Sequence, residues 1–190
     1  MNAPSPLSGF KPHKLTVDDV LTLERGGAFA GLPRLELLDG TLYEMSPQTS
    51  LHVRVRNRLT FRLQSRIVEL GLPYEAFSEA TISIGPNHAP ELDVVISNMP
   101  EVDGYYPVSS ILLAVEVAVT SLQSDLTFKK SLYATAGIPE YWVIDAEAQM
   151  IHLFWSPSGA GYADCKSIAI SAPLSSQTIT GLTVETNGLV

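Results

Sequence analysis

Apolar residues recur along this chain with two different periods, and the switches between them mark out its elements. Over 52–70, Val55, Leu59, Leu63, Ile67 and Leu70 fall at helical spacing and predict the longest helix, closed by Gly71. A shorter amphipathic helix is expected over 17–24. Thr16 is its N-cap, Asp18 and Asp19 sit in its first turn, and Gly26-Gly27 ends it. The runs 35–38 and 41–45 flank Asp39-Gly40, a dipeptide that accepts the positive φ of a type I′ turn, so they predict a hairpin. Residues 74–84 alternate in the β manner and read as a strand ended by Gly85-Pro86-Asn87.

The runs 93–96 and 111–119 are almost continuously apolar, the pattern of central strands covered on both faces, and a polar loop over 98–107 joins them. A helix is expected over 125–136, with Ser124 as N-cap and Gly137 just past its end. Strands follow at 141–145 and 150–155, with edge strands expected at 167–171 and 178–185. Residues 1–12, rich in Pro and Ser, read as a loose leader. There is no internal repeat and no shift of composition, so the expectation is one α/β domain over 1–190.

Composition narrows the function classes. A hydrophobic fraction of 45% with 17% charged residues describes a globular chain, and the single Cys165 offers neither an internal disulfide nor a zinc constellation. A reducing, cytoplasmic setting fits. No charged-then-apolar leader occurs, and Glu116 interrupts the longest apolar run, so neither a signal peptide nor a membrane span is expected. The net charge of -8 argues against an obvious polyanion binder, yet five of the seven arginines fall between 54 and 66. Arg54, Arg58, Arg62 and Arg66 form one helical stripe, which reads either as a solvated face or as a basic edge beside a phosphate-binding cleft.

Among candidate chemistries, G-x-S-x-G, a Gly-rich phosphate loop ending in Lys-Ser or Lys-Thr, and H-E-x-x-H are all missing from the sequence. The conspicuous groups are acids at the ends of apolar strands. Asp93 follows Pro90-Glu91-Leu92, and Glu116 lies inside Ile111 to Val119. An ionised carboxylate in such a run is costly to bury alone, so Glu116 is either functional or paired with a buried arginine. Asp125, Lys129 and Tyr133 stand at i, i+4 and i+8 on one helix face, where the plain reading is a surface ion pair. His52 and Glu44 are ambiguous residues near the hairpin and the long helix. Hard carboxylate oxygens suit Mg²⁺, and a lysine beside them suits the charge that builds on a phosphate under attack.

The order Glu36-Leu-Leu-Asp-Gly-Thr-Leu, Met45-Ser-Pro, His52, Pro90-Glu-Leu-Asp-Val-Val, Leu113-Ala-Val-Glu-Val, Asp125 with Lys129 and Tyr133, and Ala136-Gly-Ile-Pro-Glu-Tyr-Trp-Val-Ile-Asp145 resembles the Uma2 family of restriction endonucleases, within the PD-(D/E)XK nuclease superfamily. The resemblance implies a restriction-endonuclease-like mixed central sheet flanked by helices, with an N-terminal hairpin. It implies cleavage of DNA with Mg²⁺, or alternatively Mn²⁺, held by Asp93, Glu116 and the backbone carbonyl of Val117. Ala118 stands where the superfamily places its lysine, and Lys129 matches a helix-borne substitute. In that scheme Asp125 orients Lys129, Tyr133 packs or hydrogen-bonds beside it, and His52 and Glu44 complete the site. A homodimer is compatible with it. The rival reading is a binding or regulatory module that keeps the fold without catalysis, and a hydrolase of small phosphoesters stands third.

Overall fold

Helix α1 (Val17–Arg25) starts where its capping chemistry dictates. In the computed structural model, which describes residues 10–99 and 101–190, Thr16 Oγ1 accepts the Asp19 N–H at 3.1 Å and the Asp19 carboxylate accepts the Thr16 N–H at 2.8 Å. The cap places Val17 and Val20 against Leu37 and Ala89 in a small satellite core. Thr16→Ala is therefore expected to cost about 1 kcal/mol of stability, read as a lower urea midpoint with an unchanged slope. The leader expected over 1–12 lies outside the described residues up to 9, and 10–12 are exposed and irregular.

Strands β1 (Leu35–Leu38) and β2 (Thr41–Glu44) form the hairpin, with Asp39 at φ 48° and Gly40 at φ 75°, as a type I′ turn requires. Gly40 is doubly constrained, because a Cβ there would lie 2.5 Å from Lys14 Cβ. Helix α2 (Ser50–Glu69) follows. The main sheet comprises β3 (Glu75–Ser83), β4 (Glu91–Ser97), β5 (Tyr106–Pro107), β6 (Ile111–Ala118), β7 (Glu140–Asp145), β8 (Met150–Ser158) and β9 (Gly161–Ala169). Its strand order is β5-β3-β4-β6-β7-β8-β9. It is mixed: β6 runs parallel to β7 and β5 parallel to β3, while the other neighbours are antiparallel.

The parallel step from β6 to β7 is bridged by a helical run made of α3 (Leu122–Ser124), a π-helical turn (Asp125–Lys129) and α4 (Lys130–Thr135). One face of the sheet is covered by α2, whose Val55, Leu59, Leu63 and Ile67 are fully buried against Val94, Val115 and Trp142. Each such side chain contributes about 1.5–3 kcal/mol. Tyr133 and Ile138 cover the other face, over Val95, Ala114, Tyr141 and Val143.

Three expectations need correction. Ser124 is not an N-cap: it has helical dihedrals, its hydroxyl bonds the Ser121 carbonyl, and the helical run begins two residues earlier. The strand expected at 167–171 is the end of the longer β9, whose outer residues are solvated and show no apolar alternation. Of 178–185 only β11 (Thr183–Val184) is a strand, and it pairs with β10 (Leu174–Ser175) away from the main sheet. The arginine stripe also has a use outside both of its readings. Arg58 donates to the Gly188 carbonyl at 2.6 Å, and Arg62 to those of Glu185 and Asn187 at 2.7 and 2.9 Å. Arg66 pairs with Glu69, and Arg54 is exposed. Among the described residues, no helix is long and apolar enough to cross a membrane.

Candidate active site

Strands β4 and β6 part where their acids begin. After a register shift between Ser97 and Ile96 they pair regularly from Ile96 opposite Leu113 to Val94 opposite Val115, and one further step would set Asp93 opposite Glu116. At that point the Val117 N–H is taken by Asp93 Oδ2 at 2.8 Å, so a side-chain carboxylate substitutes for a ladder carbonyl. The fork opens a cavity of about 200 Å³ lined by Glu36, Glu44, His52, Asp93, Glu116, Val117, Asp125 and Lys129, among others.

His52 reaches the fork from the first turn of α2, where Thr49 caps the helix by accepting the His52 N–H at 3.2 Å. Its Nε2 lies 3.0 Å from the same Asp93 Oδ2. An ionised carboxylate only accepts, so Nε2 donates there. His52 Nδ1 is buried and has no hydrogen-bond partner among the described residues.

Glu116 is compensated by a lysine rather than an arginine. Its Oε1 accepts Lys129 Nζ at 3.1 Å and the Tyr133 hydroxyl at 2.7 Å. Lys129 Nζ donates equally to Glu36 Oε1 at 3.1 Å, and that oxygen also accepts the Glu91 N–H at 3.0 Å. Burial pushes the Glu116 carboxyl well above the usual carboxylate range; Lys129 opposes this, while Asp93, Asp125 and Glu36 reinforce it. Burial works to lower the Lys129 pKa, but Glu116, Glu36 and Asp125 around it outweigh burial and raise it, so the ammonium is retained.

The fork thus brings two bonded groups side by side, Asp93 with His52 and Glu116 with Lys129 and Tyr133. Asp125 is adjacent but bonded differently. It does not hold Lys129 by a hydrogen bond; its carboxylate accepts the Ser121 hydroxyl at 2.6 Å, and burial raises its pKa. The π-helical turn supplies the reason. The Lys130 N–H bonds the Asp125 carbonyl, which the Tyr141 hydroxyl also engages at 3.1 Å, and the wide turn re-aims side chains that an α-helix would stack. Glu44 lies at the exposed rim and makes no hydrogen bond or ion pair among the described residues.

The partner missing from the expected set is Glu36. It is buried on β1 and carries the same signal as Glu116, an acid inside an apolar run, but within only four residues. Asp93 Oδ1 and Glu116 Oε2 have no protein hydrogen bond among the described residues. Among those residues no three His, Cys, Asp or Glu side chains converge as a ready metal cage, and the oxygens left free at the fork are those of the Asp93 and Glu116 carboxylates. That hard-oxygen set fits Mg²⁺, which takes one or two carboxylates and keeps several waters.

No protein with a curated description matches the chain. Among solved structures, a crystal structure described as a "putative nuclease belonging to DUF820 from Anabaena variabilis" superposes with a TM-score of 0.69. The match has 16% identity and covers 92% of this chain and 97% of that one, which establishes a shared fold. The family model for Uma2, described as "Putative restriction endonuclease", matches residues 17–187, and the chain belongs to that family.

Proposed function

We propose that this chain is a metal-dependent endonuclease that hydrolyses phosphodiester bonds in DNA. The observation that carries this reading is the fork itself, where Asp93 and Glu116 line one cavity and a buried ammonium bonds Glu116. Asp93, Glu116 and the Val117 carbonyl would hold Mg²⁺ or Mn²⁺. Bound there, the ion supplies Lewis-acid stabilisation of phosphate oxygens and makes water more acidic.

The residues of the chain prepare that reaction. Five acids, Glu36, Glu44, Asp93, Glu116 and Asp125, face one lysine and one histidine around the cavity, so the region carries excess negative charge that a divalent cation offsets. Lys129 is fixed by Glu36 on one side and Glu116 on the other, so its ammonium is already oriented when a phosphate arrives. Tyr133 locks the Glu116 oxygen nearest Lys129, and His52 steadies Asp93 from the helix side.

The direct test incubates purified protein with supercoiled and linear DNA under Mg²⁺, Mn²⁺ or chelator. Nicking or linearisation of the circle with metal, and none with chelator, is the expected outcome. Intact DNA in every arm would sink the proposal, and retarded but uncut DNA would point to the binding module. Glu116→Gln is expected to abolish cleavage while the fold survives. Breaking a buried ion pair costs about 3–5 kcal/mol, but Lys129 keeps Glu36 in this variant, so a melting scan should show a smaller loss.

A further inference from the structure

The two edges of the main sheet are finished differently. At one edge, β5 covers the end of β3, Pro107 closes β5 with a residue that has no N–H to offer, and Gln64 Oε1 takes the Ala76 N–H at 2.7 Å. The other edge is β9, nine residues long, paired with β8 from Met150 opposite Ala169 to Trp155 opposite Asp164 and again at Pro157 opposite Tyr162 and Ser158 opposite Gly161, with Ser156 at φ 59° between the two stretches. Residues 163–167 are all exposed, and among the described residues no group outside β8 bonds their backbone. Such an edge is a template for another strand.

We propose that β9 is a homodimer interface, where a second copy of this chain adds its own β9 antiparallel to the first and continues the sheet. The inference is independent of the chemistry at the fork. Two copies related by a two-fold axis perpendicular to the sheet must meet at a residue, because paired side chains share a face. Charge selects that residue. Centring on Cys165 places Asp164 opposite the partner's Lys166, twice by symmetry. Centring on Asp164 sets two carboxylates face to face, and centring on Lys166 sets two ammoniums, both unfavourable for direct cross-strand pairs. Asp164 and Lys166 are the only charged residues of the strand, and neither forms an ion pair among the described residues. Ala163 then faces Ser167, a small pair that fits without steric conflict.

The register makes a second, unconnected demand: the two Cys165 side chains lie opposite one another on the same face, within about 5 Å. Sedimentation over a dilution series, together with cross-linking by the thiol reagent bismaleimidoethane, tests both. The wild type should sediment as a reversible dimer and cross-link to twice the chain mass, with cross-linking lost in Cys165→Ser. Asp164→Lys and Lys166→Asp should each raise the dimer Kd by about tenfold or more, and the double exchange Asp164→Lys with Lys166→Asp should return it close to the wild-type value. Circular dichroism confirms that these exposed exchanges leave the fold intact. A wild type that stays monomeric at every concentration, a Kd unmoved by the single exchanges, or a double exchange that fails to restore association would overturn the interface.

Discussion

Lys129→Ala is expected to slow DNA cleavage by about 10²–10³-fold, the usual consequence of removing one preorganised donor from a developing oxyanion. Its Nζ is buried between Glu36 and Glu116 and borders the cavity. Lys130→Ala provides the contrast. That residue lies about 100° further round the helix, with its ammonium 5.0 Å from the centre of the Phe154 ring. Its loss should cost about 0.5–1 kcal/mol of stability and leave the cleavage rate unchanged. Ala118 lies two residues beyond Glu116 on the same side of β6, packed with Tyr133 and Val143. Ala118→Lys in the Lys129→Ala background is therefore expected to return part of the rate by delivering the ammonium from the strand. Equal cleavage by the wild type and Lys129→Ala would remove Lys129 from the chemistry.

The largest loss of stability should come from Glu140→Ala, at the opposite end of the central strands. Glu140 opens β7 with no exposed surface. Its carboxylate accepts Trp142 Nε1 at 2.7 Å, the Ser176 hydroxyl at 2.6 Å, the Thr178 hydroxyl at 2.8 Å, and the N–H groups of Gln177 and Thr178 at 3.0 Å. Truncation leaves these donors unpaired in a buried pocket, at a cost of about 3–5 kcal/mol. For a chain of this size that lowers the melting temperature by on the order of 10 °C. Glu140→Gln should fall between, because its amide nitrogen meets donors where an oxygen stood. Cleavage measured well below the melting point should be unaffected in both, since Glu140 pairs with Leu113 at the end of β6 away from Glu116. A loss under 1 kcal/mol for Glu140→Ala would contradict this account.

The residues that interrupt apolar runs were the legible ones. Asp93 and Glu116 could be read from the sequence because a carboxylate in a central strand demands a partner, and the fork supplies one for each. Lys129 and Tyr133 followed from helical spacing, and both reach Glu116. Asp125 follows from the same spacing and lines the same cavity, but its bond to the Ser121 hydroxyl is not legible, because nothing in Asp-Leu-Thr-Phe-Lys announces a π-helical turn. Within that turn the Asp125 carbonyl accepts the Tyr141 hydroxyl, which arrives from the next strand. Glu36 was hidden by the brevity of β1, where four residues are too few to establish a buried run. The stripe of Arg58 and Arg62 was visible, but its use was not, since the carbonyls it binds come from a distant segment. The full length of β9 is not legible, because an exposed edge carries no alternation to find.

That distant segment bears on how the chain is made. Arg58 and Gly188 are 130 positions apart, and Leu174, Leu182, Val184 and Leu189 lie in the same apolar cluster as the buried side of α2. A ribosome adding about 5–20 residues per second has already released α2 and most of the sheet when these residues are still inside it. The nascent chain therefore presents an apolar trough beside α2 for a few seconds in every round of synthesis. Chaperone capture of stalled chains should concentrate on that trough, and it should fade once residues 174–189 emerge.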